Sequence, residues 1–190
     1  MNDHVPRLGI DIGRVVIDGP RHPGGGDTAF FTGDETTMLA TPEVPGALDT
    51  IARLVPHFDG QVWLVSKCGP RIQARTQRWL DAHDFHRRTG VDRDRVRFCR
   101  ARADKRGHCL DLGLTHFVDD HPEVHSAIRG AVAHQYFFGP QRRPVPGYGH
   151  ATPSWADVEH LVIRSLRRAH RQDGTEVTAG DAPLGRLQHP

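Results

Sequence analysis

Short apolar runs recur along the chain, separated by stretches in which apolar residues return every three or four positions. Leu8-Gly9-Ile10-Asp11-Ile12, Gln61 to Ser66, Arg95 to Cys99, Thr115 to Asp120 and Ala131 to Phe138 have the length and composition of strands. The third alternates as an edge or half-exposed strand does. Between them lie helix signals. Thr41-Pro42-Glu43 offers a hydroxyl cap, a proline at the first position and an acid in the first turn, ahead of Val44, Ala47, Leu48, Ile51, Leu54 and Val55. Pro70 opens a second helix with Ile72, Trp79 and Leu80 on one face. A third covers residues 105–112, with Gly113 placed to end it. Ser154-Trp155-Ala156-Asp157 is an acidic variant of a capping box, opening a helix with Trp155, Val158, Leu161, Val162 and Leu166 inward. Residues 14–40, with Gly24-Gly25-Gly26 and two prolines, read as loop with a small hairpin.

Strands alternating with helices predict an α/β fold: a three-layer, Rossmann-like parallel sheet of about five strands with helices on both faces. The length of 190 residues suits one domain with a sizeable core, here residues 1–171. Residues 172–190 are rich in Gly, Pro and polar residues and read as a disordered tail. A formal charge of +2 advertises neither nucleic acid nor an anionic membrane as partner. The apolar runs, about five residues at most, fall far short of the ~20 that span a bilayer. Three cysteines without C-x-x-C spacing, and no charged-then-apolar N-terminal pattern, predict a reduced, cytoplasmic protein. Of 25 basic residues only Lys67 and Lys105 are lysines, so each is either a chance survivor or a pointer to a place where an ammonium is wanted rather than a guanidinium.

The chemistry lies at the strand ends. In parallel sheets ligands bind beyond the carboxyl ends of the strands, and Asp11, Ser66, Asp119 and Asp120 all terminate predicted strands. Carboxylates held close together repel unless a cation neutralises them, and an all-oxygen site suits Mg²⁺. A nearby hydroxyl and ammonium suit phosphate oxygens, and a carboxylate can attack phosphorus. The set points to metal-assisted phosphoryl transfer.

Four segments in order resemble the motifs of the haloacid dehalogenase-like superfamily: Ile10-Asp11-Ile12-Gly13-Arg14-Val15-Val16, then Trp63-Leu64-Val65-Ser66, then Lys105 at the start of its helix, then Phe117-Val118-Asp119-Asp120. The resemblance runs from residue 7 to 139, and the Lys105–Asp119 spacing is similar to that of compact, nucleotidase-like branches without a large cap domain. It implies Asp11 as nucleophile and metal ligand, Ser66 on the transferring phosphoryl group, and Lys105 bridging Asp11 and the phosphate. Asp119, Asp120 and the Gly13 carbonyl would hold Mg²⁺ with Asp11. The implied substrate is a phosphorylated small molecule or nucleotide, and the oligomeric state, a homo-oligomer included, stays open. Phosphatases of this family carry a second Asp at the position of Gly13, as acid and base. Its loss typically costs ~10²–10⁴ in rate, unless Asp18, His22 or Asp27 substitutes. The alternative is a binding or regulatory protein of the same fold with weak or no turnover.

Other features read more plainly. Residues 8–13 also resemble the first phosphate loop of sugar kinases and actin-like ATPases, but Arg14-Val15 and the short chain argue against it. His121 and His125 at helical spacing could bind zinc, but no third ligand matches, and solvated surface is the simpler reading. Cys68 reads as packed, and Arg164, Arg167, Arg168 and Arg171 as the solvated face of the last helix. Phe30 and Phe31 either pack on the core or stack a base, packing being favoured. Lys67 meets either phosphate or solvent.

Overall fold

A computed structural model of the chain describes residues 5–175. Among the described residues, six strands form one parallel sheet: β1 (Leu8–Ile10), β2 (Val62–Lys67), β3 (Val96–Cys99), β4 (His116–Asp119), β5 (His134–Phe138) and β6 (His150–Thr152). Their order is β3-β2-β1-β4-β5-β6. The five expected strands all form. The sixth, β6, is three residues wedged between Gly149 and Pro153, too short to show a period of two, and it pairs with the otherwise open edge of β5.

Eight α-helices among the described residues flank the sheet: α1 (Asp27–Thr32), α2 (Glu35–Leu39), α3 (Ala47–Leu54), α4 (Pro70–Ala82), α5 (Phe85–Thr89), α6 (Lys105–Asp111), α7 (Pro122–Ile128) and α8 (Trp155–Thr175). Successive residues of β2 part to opposite faces, as strand geometry requires. Val62 and Leu64 join the larger core with Leu48, Ile51, Trp79, Phe85 and Val162 from α3, α4, α5 and α8. Trp63 and Val65 join a smaller one with Cys109, Val124 and Ile128 from α6 and α7. At Gly9 the face is closed by a neighbour. A Cβ there would lie 2.5 Å from the Phe117 ring and 2.6 Å from the Leu114 side chain, so any side chain would force those two to move.

Two local expectations fail for identifiable reasons. Thr41-Pro42-Glu43 does not open α3, which starts at Ala47 behind Gly46 in the left-handed region (φ 76°). Residues 41–44 instead run alongside the turn after β1: the Asp18 N–H donates to the Pro42 carbonyl and the Val44 N–H to the Val16 carbonyl, both at 2.8 Å. Pro45 is the cause, since it lacks an N–H and disfavours a helical conformation at Val44. Residues 14–40 are not a hairpin but carry α1 and α2. Helices of six and five residues are too short to stand alone. Buried Phe30 and Met38 anchor them, and buried Arg75 of α4 donates to the Phe30 and Gly33 carbonyls, each at 2.7 Å.

The acidic capping box forms as expected, with Asp157 accepting from the Ser154 N–H (3.0 Å) and hydroxyl (2.6 Å). The helix it opens runs to Thr175, so residues 172–175, assigned above to the tail, are helical. Apolar periodicity reports burial rather than helicity and is blind to a polar helix end. The rest of the expected tail lies outside the described residues. None of the described helices is long and apolar enough to cross a membrane. The three cysteines are buried and free.

Candidate active site

The sheet order places β1 and β4 side by side while the connections leave them in opposite directions. Such a switch point opens a crevice at the carboxyl ends of the two strands. Register then decides which side chains meet there. Ile10 pairs with Leu64 on one side and Val118 on the other. Asp11 therefore follows beside Asp119, its N–H donating to the Val118 carbonyl at 2.9 Å, with Ser66 two residues past Leu64. Lys105, the first residue of α6, reaches in over the Phe117 ring of β4.

The Lys105 Nζ donates to Asp11 Oδ1 at 2.6 Å and to Asp119 Oδ2 at 2.7 Å, and only 2% of its side chain is exposed. Burial works against this ammonium, but the two carboxylates outweigh it and raise Lys105 above the ordinary lysine range. Asp119 Oδ1 accepts the His121 N–H at 2.8 Å, which fixes the carboxylate plane. Behind it, buried His125 bridges the Asp119 main-chain carbonyl (3.0 Å) and the Gln135 side chain (3.1 Å), stacked on Phe137. His125 is thus a support beneath the site, neither surface nor half of a zinc pair. Burial holds it neutral, lowering it to about 4.

Asp11, Asp119 and Asp120 each offer a carboxylate oxygen, and the three atoms lie within 4.8 Å of one another. One ammonium does not balance three carboxylates. Burial, with Asp11 and Asp119 adding to it, pushes Asp120 up to about 7. An all-oxygen donor set with charge left over fits a hard divalent cation.

The turn after Asp11 is closed by the Ile12 carbonyl, which accepts from the Val16 and Ile17 N–H groups at 2.8 and 2.9 Å. Its left-handed residue is Arg14 (φ 62°), not Gly13, which has no positive φ. A Cβ on Gly13 would meet nothing within 4 Å, so its missing side chain is not demanded by space. The three suggested substitutes for that side chain fare differently. His22 is consumed by structure, bonded to the Thr37 carbonyl at 2.6 Å and accepting the Gly24 N–H at 2.8 Å. Asp18 accepts the Arg21 N–H at 3.2 Å in a short 3₁₀ turn. Asp27 alone of the three lines the site cavity, where it pairs with Arg14 (Nε to Oδ2, 3.1 Å).

That cavity, of about 400 Å³, gathers Asp11, Gly13, Ser66, Lys105, Asp119 and Asp120. Both lysines of the chain line it, Lys105 buried and Lys67 exposed. Phe30 packs in the core and Phe31 is 45% exposed, and both line the cavity. Cys68 is packed at the wall, its thiol raised to about 11 by burial. Arg102, three residues before Lys105, and His121 also line the cavity. The basic turn ahead of the α6 lysine was the available signal for Arg102. The four α8 arginines are exposed on a different element.

No family model matches the sequence, and no curated protein matches it. Among solved structures, the chain is similar to a haloacid dehalogenase-like family hydrolase from Xanthomonas campestris. The TM-score is 0.63 at 10% identity, covering 88% of this chain and 99% of that one. It is also similar to a haloacid dehalogenase-like hydrolase from Burkholderia xenovorans (TM-score 0.58, 13% identity, 86% and 99% covered) and to a dehalogenase (TM-score 0.51, 11% identity, 85% and 98% covered). At such identities the likeness is one of architecture, and it extends over nearly the whole of each partner. The chain has the haloacid dehalogenase-like fold.

Proposed function

We propose that this chain is a Mg²⁺-dependent phosphohydrolase or phosphotransferase, without a large cap, that acts on a phosphate monoester such as a nucleotide. The observation that carries this reading is the Lys105 ammonium buried between Asp11 and Asp119, with Asp120 completing a carboxylate trio. Displacing a halide from carbon, the chemistry suggested by the name of one similar structure, needs one nucleophilic carboxylate. Three clustered carboxylates favour a cation and a phosphoryl group.

Asp11 is the nucleophile of this reading. Its carboxylate, oriented by Lys105, attacks phosphorus; the ester P–O bond breaks and its electron pair leaves with the alcohol oxygen. Water then attacks the aspartyl-phosphate, releasing inorganic phosphate and restoring Asp11, and an alcohol in place of water makes the same step a transfer. Ser66 donates a hydrogen bond to the phosphoryl oxygens. Lys105 counters the charge that Asp11 passes to the phosphate and keeps Asp119 in place. Asp11, Asp120 and the Gly13 carbonyl, with Asp119 directly or through water, would hold Mg²⁺, which when bound neutralises the carboxylates and withdraws electron density from the phosphoryl oxygens.

Gly13 moves no proton, and Asp27 is committed to Arg14. In this reading the leaving oxygen takes its proton from water, which favours esters with good leaving groups. The same residue favours the second reading, a binding or regulatory protein with feeble turnover. Phosphate release from p-nitrophenyl phosphate, with and without Mg²⁺ and with an Asp11→Asn control, separates the two. Mg²⁺-dependent release abolished by Asp11→Asn supports the enzyme. Release that Asp11→Asn leaves intact, or no release, rejects it.

A further inference from the structure

A second cavity, of about 560 Å³, adjoins the first. The two share Arg14, Asp120 and His121, and the far wall of the second is the β5–β6 connection: Pro140, Gln141, Arg142, Arg143, Pro144, Val145 and Pro146. This connection is held at both ends. The Gln141 side chain donates to the Asp120 carbonyl at 3.2 Å and to the Phe138 carbonyl at 2.9 Å, tying the loop to the turn that bears the carboxylate trio. At the other end Tyr148 packs on Phe137 and under the Arg129 guanidinium, and a Cβ on Gly149 would fall 2.4 Å from the Phe137 ring. Two prolines between these anchors, Pro144 and Pro146, fix φ and remove donors. The loop is preorganised.

What it presents is positive charge without a partner. Arg142 and Arg143 are exposed, and neither guanidinium takes an ion pair or hydrogen bond among the described residues. Arginines elsewhere commonly pair, as Arg53 does with Glu159 and Arg88 with Glu43. Adjacent guanidinium groups repel, and ordering them on a rigid loop gains nothing for folding. An anion with several oxygens, bound by both forks, would reverse that balance. Its location follows from the shared walls: it would lie beyond Asp120 and Arg14, on the side away from Ser66 and Lys105.

We infer that the second cavity is an anion subsite, and that the substrate carries a second phosphoryl group held by Arg142 and Arg143 while the first sits at Asp11. The ligand class is a small bisphosphorylated molecule. This rests on the phosphoryl-transfer reading of the Asp11 site. Arg14, forced into the left-handed region between the two cavities, stands where such a molecule would cross from one to the other.

Phosphonates test this without turnover, because their P–C bond is not hydrolysed. Titration calorimetry in Mg²⁺ compares α,ω-alkane bisphosphonates of increasing chain length with the matching monophosphonates. In the wild type, at least one bisphosphonate should bind about tenfold or more tighter than its monophosphonate. Arg142→Gln with Arg143→Gln should reduce that ratio to about one, since the second charge then has no partner. Arg167→Gln with Arg168→Gln, removing the same charge from α8, should leave the ratio as it was. Monophosphonate binding with no gain from a second phosphonate overturns the subsite and leaves the Asp11 reading standing. A gain that survives the loop variant also overturns it, while no binding of either class overturns both readings.

Discussion

Lys105→Met is the sharpest probe of how the site is held together. Methionine nearly matches the lysine stem in volume, so the change removes the ammonium and little packing. Asp11 and Asp119 then lose partners at 2.6 and 2.7 Å, in a place where Asp119 is 1% exposed and Asp11 8%. Breaking a buried ion pair from one side costs about 3–5 kcal/mol. Because Asp11 faces the cavity and regains some hydration, the lower end, about 3 kcal/mol, is expected. For a domain of this size that lowers the melting temperature by about 6–12 °C. Circular-dichroism melts and urea titrations at neutral pH measure it. Two further results should accompany the loss. Adding Asp11→Asn to Lys105→Met should recover part of it by removing one stranded charge. Mg²⁺ should stabilise Lys105→Met more than it stabilises the wild type, since the cation takes over part of the ammonium's work. A loss below about 1 kcal/mol would refute the reasoning, because it would mean that the carboxylates are already hydrated or neutral.

Three more predictions follow from other parts of the structure. Gly13→Asp is sterically free and keeps the backbone carbonyl, so turnover of esters with poor leaving groups should rise about tenfold or more and vanish again with Asp11→Asn. Steady-state kinetics on paired good and poor leaving groups would show it. His116 is buried against Ser165 and His134 and is lowered to about 3, first by burial and then by the His134 charge. The unfolded chain binds that proton below pH ~6.5 and the native state does not until pH ~3. Stability should therefore fall with acid between those limits, by about 1.4 kcal/mol per pH unit for this one group. His116→Leu should flatten the dependence of the urea midpoint on pH. Finally, calorimetric titration with Mg²⁺ should show binding that Asp120→Asn weakens about tenfold or more, since one of three carboxylates is lost. Equal affinity in both proteins would remove Asp120 from the metal site.

What could be read from the sequence was what neighbours in the chain decide among themselves. Runs of β-formers ending in Asp11, Ser66 and Asp119 marked strands with polar carboxyl ends, and the Ser154–Asp157 box marked the start of α8 because its hydrogen bonds span three residues. The order of Asp11, Ser66, Lys105 and Asp119 was visible for the same reason. Their meeting was not. Lys105 reaches Asp11 across 94 residues and Asp119 across 14, and only the β1–β4 register brings the two carboxylates to one ammonium. Tertiary contacts also overruled local signals. Pro45 and the turn after β1 drew residues 41–44 out of a helix, while Arg75 and the core held α1 and α2 in helices too short to form alone. His125, placed on the surface by its spacing, is buried because the carbonyl of Asp119 needs a partner beneath the sheet end. The Arg142–Arg143 loop carried no periodicity at all. Its relation to Asp120 exists only because the β5 edge accepts β6 and returns the chain past the site. Local propensity is set over a few residues, whereas burial and long-range pairing are set by the whole chain closing on itself, and the site is made of the second kind.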